Sequence, residues 1–107
     1  MTSPAETGVI TTTVPDRTIA RRIADALLTE RLAACVQLLD IESHYVWKGE
    51  RAAEAEVMVL IKTRIVLFER TMARIKVLHP YETPEIVAQP FSAGFAPYLD
   101  WLADSTA

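Results

Sequence analysis

The segment HPYETPEI, residues 79–86, places an imidazole, a phenol, two carboxylates and two prolines within eight positions. A neutral imidazole binds copper and zinc well, and carboxylate oxygens often complete such sites. His79 is therefore the best candidate metal ligand, with Glu82 and Glu85 as neighbouring oxygen donors. Copper and zinc usually take three or four ligands, and His44 should lie on a distant part of the fold, a predicted hairpin, unless another subunit brings it close. We predict weak copper(II) or zinc(II) binding and no tightly bound cofactor.

A structural interpretation of the same segment stays open. Its two prolines would stiffen the connection, and Tyr81 would bury its ring while its hydroxyl finds a hydrogen-bond partner. A stiff loop is also a good support for a binding site. If the loop contacts a neighbouring subunit, Tyr81 and the two glutamates would line an inter-subunit cleft that also contains Lys62 and Trp101. Such a charged cleft would suit a small anionic ligand or an unidentified protein partner.

Cys35 is the only cysteine of the chain. Its thiol is a soft ligand for copper(I) or a redox group, and we place it in the same predicted cleft. Because Ala34 and Val36 flank it in an apolar segment, we favour a small buried hydrophobic residue as its role. A single cysteine also excludes an intrachain disulfide, which favours a reducing compartment.

An enzymatic role has one weak candidate pair. Glu54 and Glu56 are two positions apart in a strand pattern, so their carboxylates share a face and could act as an acid–base pair. Such a pair is more often a solvated strand face. The chain has three glycines, and it contains neither a phosphate-binding glycine loop, nor a dinucleotide fingerprint, nor a nucleophile–base motif. We therefore expect a protein that is not an enzyme.

The overall composition limits the partners. The formal net charge is −3, so no basic field attracts nucleic acid or a membrane surface. The N-terminal MTSPAETG lacks the cationic start of a secretory signal, and no apolar run approaches the ~20 residues that span a bilayer. We expect neither nucleic acid nor a membrane as partner, and a cytoplasmic location.

The elements that must position these residues follow from the apolar periodicity. Residues 1–8 predict a flexible tail, and the β-branched residues 9–14 predict a strand. Pro15 and Asp16 suit the first turn of a helix, and an apolar stripe follows at four-residue spacing. A second helix begins at about Arg64 and ends near Leu78, since the residue before a proline avoids the helical region.

Residues 33–47 and 53–63 predict a β-hairpin with a turn at residues 48–51. Each arm exceeds ten residues, against a usual strand length of about 5–6, so the tip should project beyond so small a core. Prolines on both sides of residues 85–88 indicate a short edge strand, and residues 97–102 predict a C-terminal helix. The order is βαββαβ plus a helix within one domain, residues 1–107. This α+β order is the ferredoxin-like split βαβ, a four-stranded antiparallel sheet with two helices on one face.

Six segments resemble the CutA family of divalent-cation-tolerance proteins, in the order found in that family. They are PD at 15–16, ERLAACVQ at 30–37, SHYVWKGE at 43–50, EVMVLIKT at 56–63, HPYETPEI at 79–86 and YLDWL at 98–102. The resemblance covers almost the whole chain, from about Val9 to Leu102.

The resemblance implies a ferredoxin-like homotrimer whose long hairpins pack around the threefold axis, broadly similar to PII signalling proteins. It also implies a role in tolerance of copper and other divalent ions, with metal binding. Some members carry a cysteine late in the first strand and a histidine beside the one that precedes the proline. This chain has Thr12 and Leu78 there, so fewer ligands surround His79. A PII-like sensor of small ligands, or a scaffold, is the alternative function.

Overall fold

The computed structural model describes residues 1–107 as a mixed α+β fold. The elements are β1 (Thr7–Val14), α1 (Arg17–Thr29), β2 (Cys35–Trp47), β3 (Glu50–Arg64), α2 (Phe68–Leu78), β4 (Ile86–Pro90) and α3 (Ala96–Asp104). The four strands form one antiparallel sheet in the order β2-β3-β1-β4. None of the helices combines the length and the apolar character that crossing a bilayer requires. The predicted order of elements is confirmed.

The core lies between one face of the sheet and the two helices α1 and α2. Side chains of alternate strand residues meet the apolar stripe of α1, because successive strand side chains point to opposite faces. The fully enclosed members of this cluster are Ile10, Val14, Ala20, Ile23, Leu27, Val59, Ile61 and Ile75. α3 packs on the opposite face of the sheet, where Tyr98 and Leu99 lie beside Lys62 of β3. That face is therefore only partly covered within one chain.

The long hairpin projects, as predicted. β2 and β3 pair from Cys35↔Lys62 to Trp47↔Glu50, and β1 accompanies β3 only as far as Val57. Residues 41–47 and 50–56 thus form a two-stranded ribbon outside the core. The chain measures 48 Å along its longest axis. Its radius of gyration is 14.4 Å, and the projecting ribbon explains the excess over the about 13 Å usual for a domain of this length.

The turn at the hairpin tip has the geometry that two-residue hairpins prefer. Lys48 and Gly49 have φ of 50° and 81°, so both central residues adopt the left-handed region. The twist of such a turn matches the right-handed twist of the flanking strands. The tip is therefore locally well specified by its sequence even though it lies outside the core.

Several predicted element ends were wrong by a few residues. β1 begins at Thr7, because Thr7 and Gly8 are buried and paired with β3, so the predicted flexible tail is too long. Asp16 is the N-cap of α1, accepting the Ile19 N–H at 2.9 Å, which places Pro15 before the cap. Arg64 still pairs with β1, and a 3-10 turn at Ile65–Leu67 separates it from α2, which begins at Phe68.

Removing the buried hydroxyl of Thr12 should change the stability of the protein. Its side chain is fully buried, and its hydroxyl has no hydrogen-bond partner. An unpaired buried hydroxyl costs free energy, and valine has nearly the same shape without it. Thr12→Val should therefore raise the free energy of unfolding by about 1 kcal/mol. Denaturant unfolding of both proteins measures the difference, and a variant less stable than the original chain would contradict it.

Candidate functional site

A cleft of about 570 Å³ lies between the projecting hairpin and the loop of residues 80–85. Four glutamates, one histidine and three aromatic residues line it, and no lysine or arginine does. The lining residues are Thr13, Ser43, His44, Tyr45, Trp47, Glu54, Glu56, Pro80, Tyr81, Glu82, Thr83 and Glu85. The HPYETPEI segment thus forms one wall of an acidic cleft, which we call the hairpin cleft.

His79 attaches this loop to the sheet. The imidazole is 7% exposed, and its Nε2–H donates to the carbonyl oxygen of Thr13 at 2.9 Å. Its Nδ1 accepts the backbone N–H of Tyr81 at 3.2 Å. Both ring nitrogens are therefore used inside the chain, and the neutral ring carries its proton on Nε2. These bonds disfavour His79 as the predicted central metal ligand, since a metal at either nitrogen would displace one of them.

Burial lowers the pKa of His79 below its usual range, and the bond to Thr13 opposes part of that shift. In the native state the ring thus binds fewer protons than in the unfolded chain, where its pKa is about 6.5. Stability from this group is full above that pH and is lost as the pH falls towards the native pKa. We predict that acidification from pH 7.5 to 5 narrows the stability gap between the original chain and His79→Gln. A pH-independent gap in denaturant unfolding would contradict this.

Tyr81 joins the loop to the hairpin. Its hydroxyl donates to Glu56 Oε2 at 2.8 Å, and the residue Glu56 is only 8% exposed. Burial and then the bond to Glu56 raise the pKa of Tyr81 well above its usual range. Tyr45 donates in the same way to Glu54, and this bond raises the pKa of Tyr45. The two glutamates thus bind two different phenols, and the structure does not pair them as an acid and a base.

His44 is the residue that sequence reasoning assigned wrongly. We predicted it to be far from the HPYETPEI loop, yet it lines the same cleft as Glu82 and Glu85. The imidazole is exposed, and its Nε2 lies 2.7 Å from Glu42 Oε2. The predicted length of the hairpin could have indicated that His44 lies beside this loop, because a hairpin that projects beyond β1 must pass the loop that follows α2.

No three histidine, cysteine, aspartate or glutamate side chains of one chain stand close enough to hold a metal ion. The predicted set of His79, Glu82 and Glu85 is therefore not assembled within one chain. Thr12 and Leu78, the two positions that the resemblance singled out beside His79, face the core. A divalent ion at this place would need further ligands from water, from rearranged side chains or from another subunit.

The predicted cleft of Cys35, Lys62, Tyr81 and Trp101 falls into two places within one chain. Cys35 pairs with Lys62, whereas Glu56, the partner of Tyr81, pairs with Ile41. Lys62 and Glu56 are six residues apart along β3, which corresponds to about 20 Å. Each group therefore belongs to a different end of the open sheet face.

The second place is a smaller cleft of about 240 Å³ between Lys62 and α3. The Lys62 ammonium donates to Gln37, and Trp101 packs on Tyr98 with ring centroids 5.6 Å apart. Cys35 is half-buried, so it is more accessible than the predicted small buried hydrophobic residue. This end carries the amine and the thiol, and the hairpin cleft carries the carboxylates.

Comparison with known proteins identifies the family. Residues 8–105 match the CutA1 divalent ion tolerance protein family. The chain belongs to this family. It is 46% identical over 99 residues to the divalent-cation tolerance protein CutA of Thermus thermophilus, covering 92% of this chain and 96% of that one. It is 39% identical to the chloroplastic CutA 1 protein of Oryza sativa, covering 92% of this chain but only 56% of that longer one. These proteins are named for tolerance and not for an enzymatic activity.

Solved CutA structures have the same fold. The CutA1 structure from Thermus thermophilus matches with a TM-score of 0.90 at 45% identity, covering 94% of this chain and 99% of that one. CutA1 from Oryza sativa matches with a TM-score of 0.91 at 37% identity, covering 98% of each chain. A protein from Archaeoglobus fulgidus, named as periplasmic, matches with a TM-score of 0.90 at 36% identity over 92% of this chain and 97% of that one. Chloroplastic and periplasmic relatives show that the compartment varies within the CutA family.

Proposed function

We propose that this CutA protein is a ferredoxin-like, PII-like homotrimer that binds divalent metal ions weakly at the hairpin cleft. The observation that carries the proposal is the lining of that cleft, where four carboxylates and the His44 imidazole meet no lysine or arginine. Oxygen donors together with one imidazole suit zinc(II) and copper(II). The absence of any preassembled group of three ligands explains why the proposed binding is weak.

The projecting ribbon supports a trimer. An isolated two-stranded hairpin is marginally stable in water, and here its tip exposes Tyr45, Val46 and Trp47, with Val46 68% exposed. Leu39 and Val87 are also exposed on the sheet face that α3 leaves uncovered. Apolar surface of this extent usually marks an interface between subunits. Packing several copies together would bury Leu39, Val46 and Val87, whereas Tyr45 and Trp47 also line the hairpin cleft.

Oligomer mass tests the assembly. Light scattering coupled to size-exclusion chromatography should give three times the chain mass of 11.9 kDa at micromolar concentration. Val46→Glu, which places a charge on the exposed ribbon, should shift the mass towards the monomer, and Val66→Glu is its control because Val66 is exposed on the turn before α2. A monomeric mass of the unaltered chain would contradict the trimer.

Metal titration tests the binding. Calorimetry with zinc(II) and copper(II) should detect weak binding by the original chain and a loss of at least about tenfold in affinity, or about 1.4 kcal/mol, in the Glu82→Gln/Glu85→Gln double variant. Glu69→Gln is the matched control, since it removes an exposed carboxylate from α2. Equal affinity in the double variant would exclude the hairpin cleft as the site.

The cellular location and the alternative function are also proposals. The single cysteine is compatible with a reducing compartment such as the cytoplasm, and cell fractionation would test this location. A sensor of small ligands remains the second candidate, because the hairpin cleft has the volume of a small-molecule site. Its carboxylates disfavour the small anion that the sequence suggested, so a ligand there should be a cation.

A further inference from the structure

We propose that the hairpin cleft binds a small organic ammonium ion, held by the carboxylate of Glu56 and by the aromatic rings of Tyr45, Trp47 and Tyr81. This inference uses the same cleft as the proposed metal binding and adds a ligand class that needs the aromatic walls. It does not depend on the affinity for metals.

Glu56 carries a negative charge that the chain itself does not neutralise. The residue is more than nine-tenths buried and lines the cleft. Its Oε2 accepts one hydrogen bond, from the neutral hydroxyl of Tyr81 at 2.8 Å, and its Oε1 accepts none. None of the ion pairs in the chain involves Glu56. A buried carboxylate normally has a cationic partner, and Glu56 has none within the chain.

The volume of the cleft favours an organic cation over a bare metal ion at this place. A divalent ion needs several ligand atoms within about 2–2.6 Å, and no group of three ligands is close enough. The cleft measures about 570 Å³, which lies in the range of about 300–1,000 Å³ typical of small-molecule sites. A ligand with a carbon skeleton fills that space and needs no close cluster of donors.

The aromatic walls supply the second half of the recognition. Tyr45 and Trp47 lie on the hairpin side and Tyr81 on the loop side of the cleft. Aromatic faces attract ammonium groups within about 6 Å of the ring centre. The chain already shows this contact once, because Lys48 Nζ lies 5.6 Å from the centroid of Trp47. Lys48 does not line the cleft, so its ammonium does not occupy the proposed site.

The ammonium group of Lys76 is also directed away from the cleft. Lys76 of α2 donates to the backbone oxygen of Tyr81 at 3.5 Å and does not line the cleft. The facing carboxylates of Glu54, Glu82 and Glu85 lack salt bridges as well. The site therefore combines uncompensated negative charge with aromatic surface, and both features select a positively charged organic group.

The test is calorimetric titration of the protein in its native assembly with 1,4-diaminobutane, beside 1,4-butanediol as the neutral analogue. We expect saturable binding of the diamine and none of the diol. Glu56→Gln keeps an acceptor for the Tyr81 hydroxyl but removes the charge. It should lower the affinity for the diamine by about tenfold or more. Trp47→Leu should weaken it by about two- to fivefold, and Glu69→Gln should leave it unchanged.

Three results would overturn the inference. They are absence of diamine binding up to about 10 mM, equal binding of the diol, and unchanged affinity in Glu56→Gln. Glu54→Gln, at an exposed carboxylate of the same cleft, replaces Glu56→Gln if that variant does not fold, and it should also weaken the diamine. If a basic side chain of a neighbouring copy fills the cleft and the diamine therefore does not bind, the proposal is also overturned. Zinc binding in the same protein is judged separately by Glu82→Gln/Glu85→Gln, so either ligand can fail alone.

Discussion

Replacing Gly8 by alanine should destabilise the protein by about 3 kcal/mol or more, because the new methyl group would meet backbone that has no room to move. A Cβ at this position would overlap the carbonyl oxygen of Gln89 and lie 2.8 Å from Phe68 Cζ. Gly8 sits in β1 between Thr63 of β3 and Pro90 of β4. Relief of the overlap would push β4 away from β1 and break their short ladder. Denaturant unfolding measures the loss.

Gly49→Ala is the matched control for this prediction. Nothing lies within 4 Å of a Cβ at Gly49, so only its φ of 81° opposes the change. That backbone conformation costs a residue with a Cβ about 1–2 kcal/mol. The two glycine variants therefore separate a steric overlap from a conformational cost. A Gly8→Ala variant as stable as Gly49→Ala would show that β4 adjusts easily and would contradict the tight packing of the two strands.

Replacing His79 by alanine should cost about 2–4 kcal/mol and release the loop that forms one wall of the hairpin cleft. The variant loses the bond to the Thr13 carbonyl and the acceptor for the Tyr81 N–H. It also leaves a cavity where a buried ring stood. Denaturant unfolding measures the stability, and the fluorescence of Trp47 in a Trp101→Phe background reports on the cleft wall.

His44→Ala provides the comparison for His79→Ala. The His44 ring is exposed on the ribbon and pairs only with Glu42, and such surface pairs contribute about 0–1 kcal/mol. We therefore expect little change in stability but weaker metal binding in His44→Ala. Equal stabilities of the two histidine variants would contradict the structural role assigned to His79.

The fold could be predicted from the sequence because local patterns specify its parts. Alternation of apolar residues located both arms of the hairpin, and Lys48-Gly49 specified its turn. Prolines at 84 and 90 indicated an edge strand, and β4 indeed pairs only with β1. The start of β1 was missed because Thr7 and Gly8 look like tail residues, and only pairing with β3 orders them.

The site was harder to predict because its contacts join residues far apart in the chain. Nothing near His79 in the sequence indicates that the carbonyl oxygen of Thr13 accepts a hydrogen bond from its Nε2–H. The bond between Tyr81 and Glu56 likewise spans 25 positions. Residue types alone therefore suggested a metal ligand, whereas the partners of the imidazole make it a support for the loop. The sequence shows each acidic residue of the cleft, but whether these residues lie close together depends on how far the ribbon projects.

We propose that cations bind at the carboxylates of the hairpin cleft and not at His79. Anomalous diffraction from crystals grown with zinc(II) tests it most directly, because it locates the ion without reference to activity. The expected result is an anomalous peak beside the carboxylates of Glu82 and Glu85 or the imidazole of His44, with the hydrogen bonds of His79 intact. A peak bound to a nitrogen of His79, with the bond to Thr13 broken, would contradict the account.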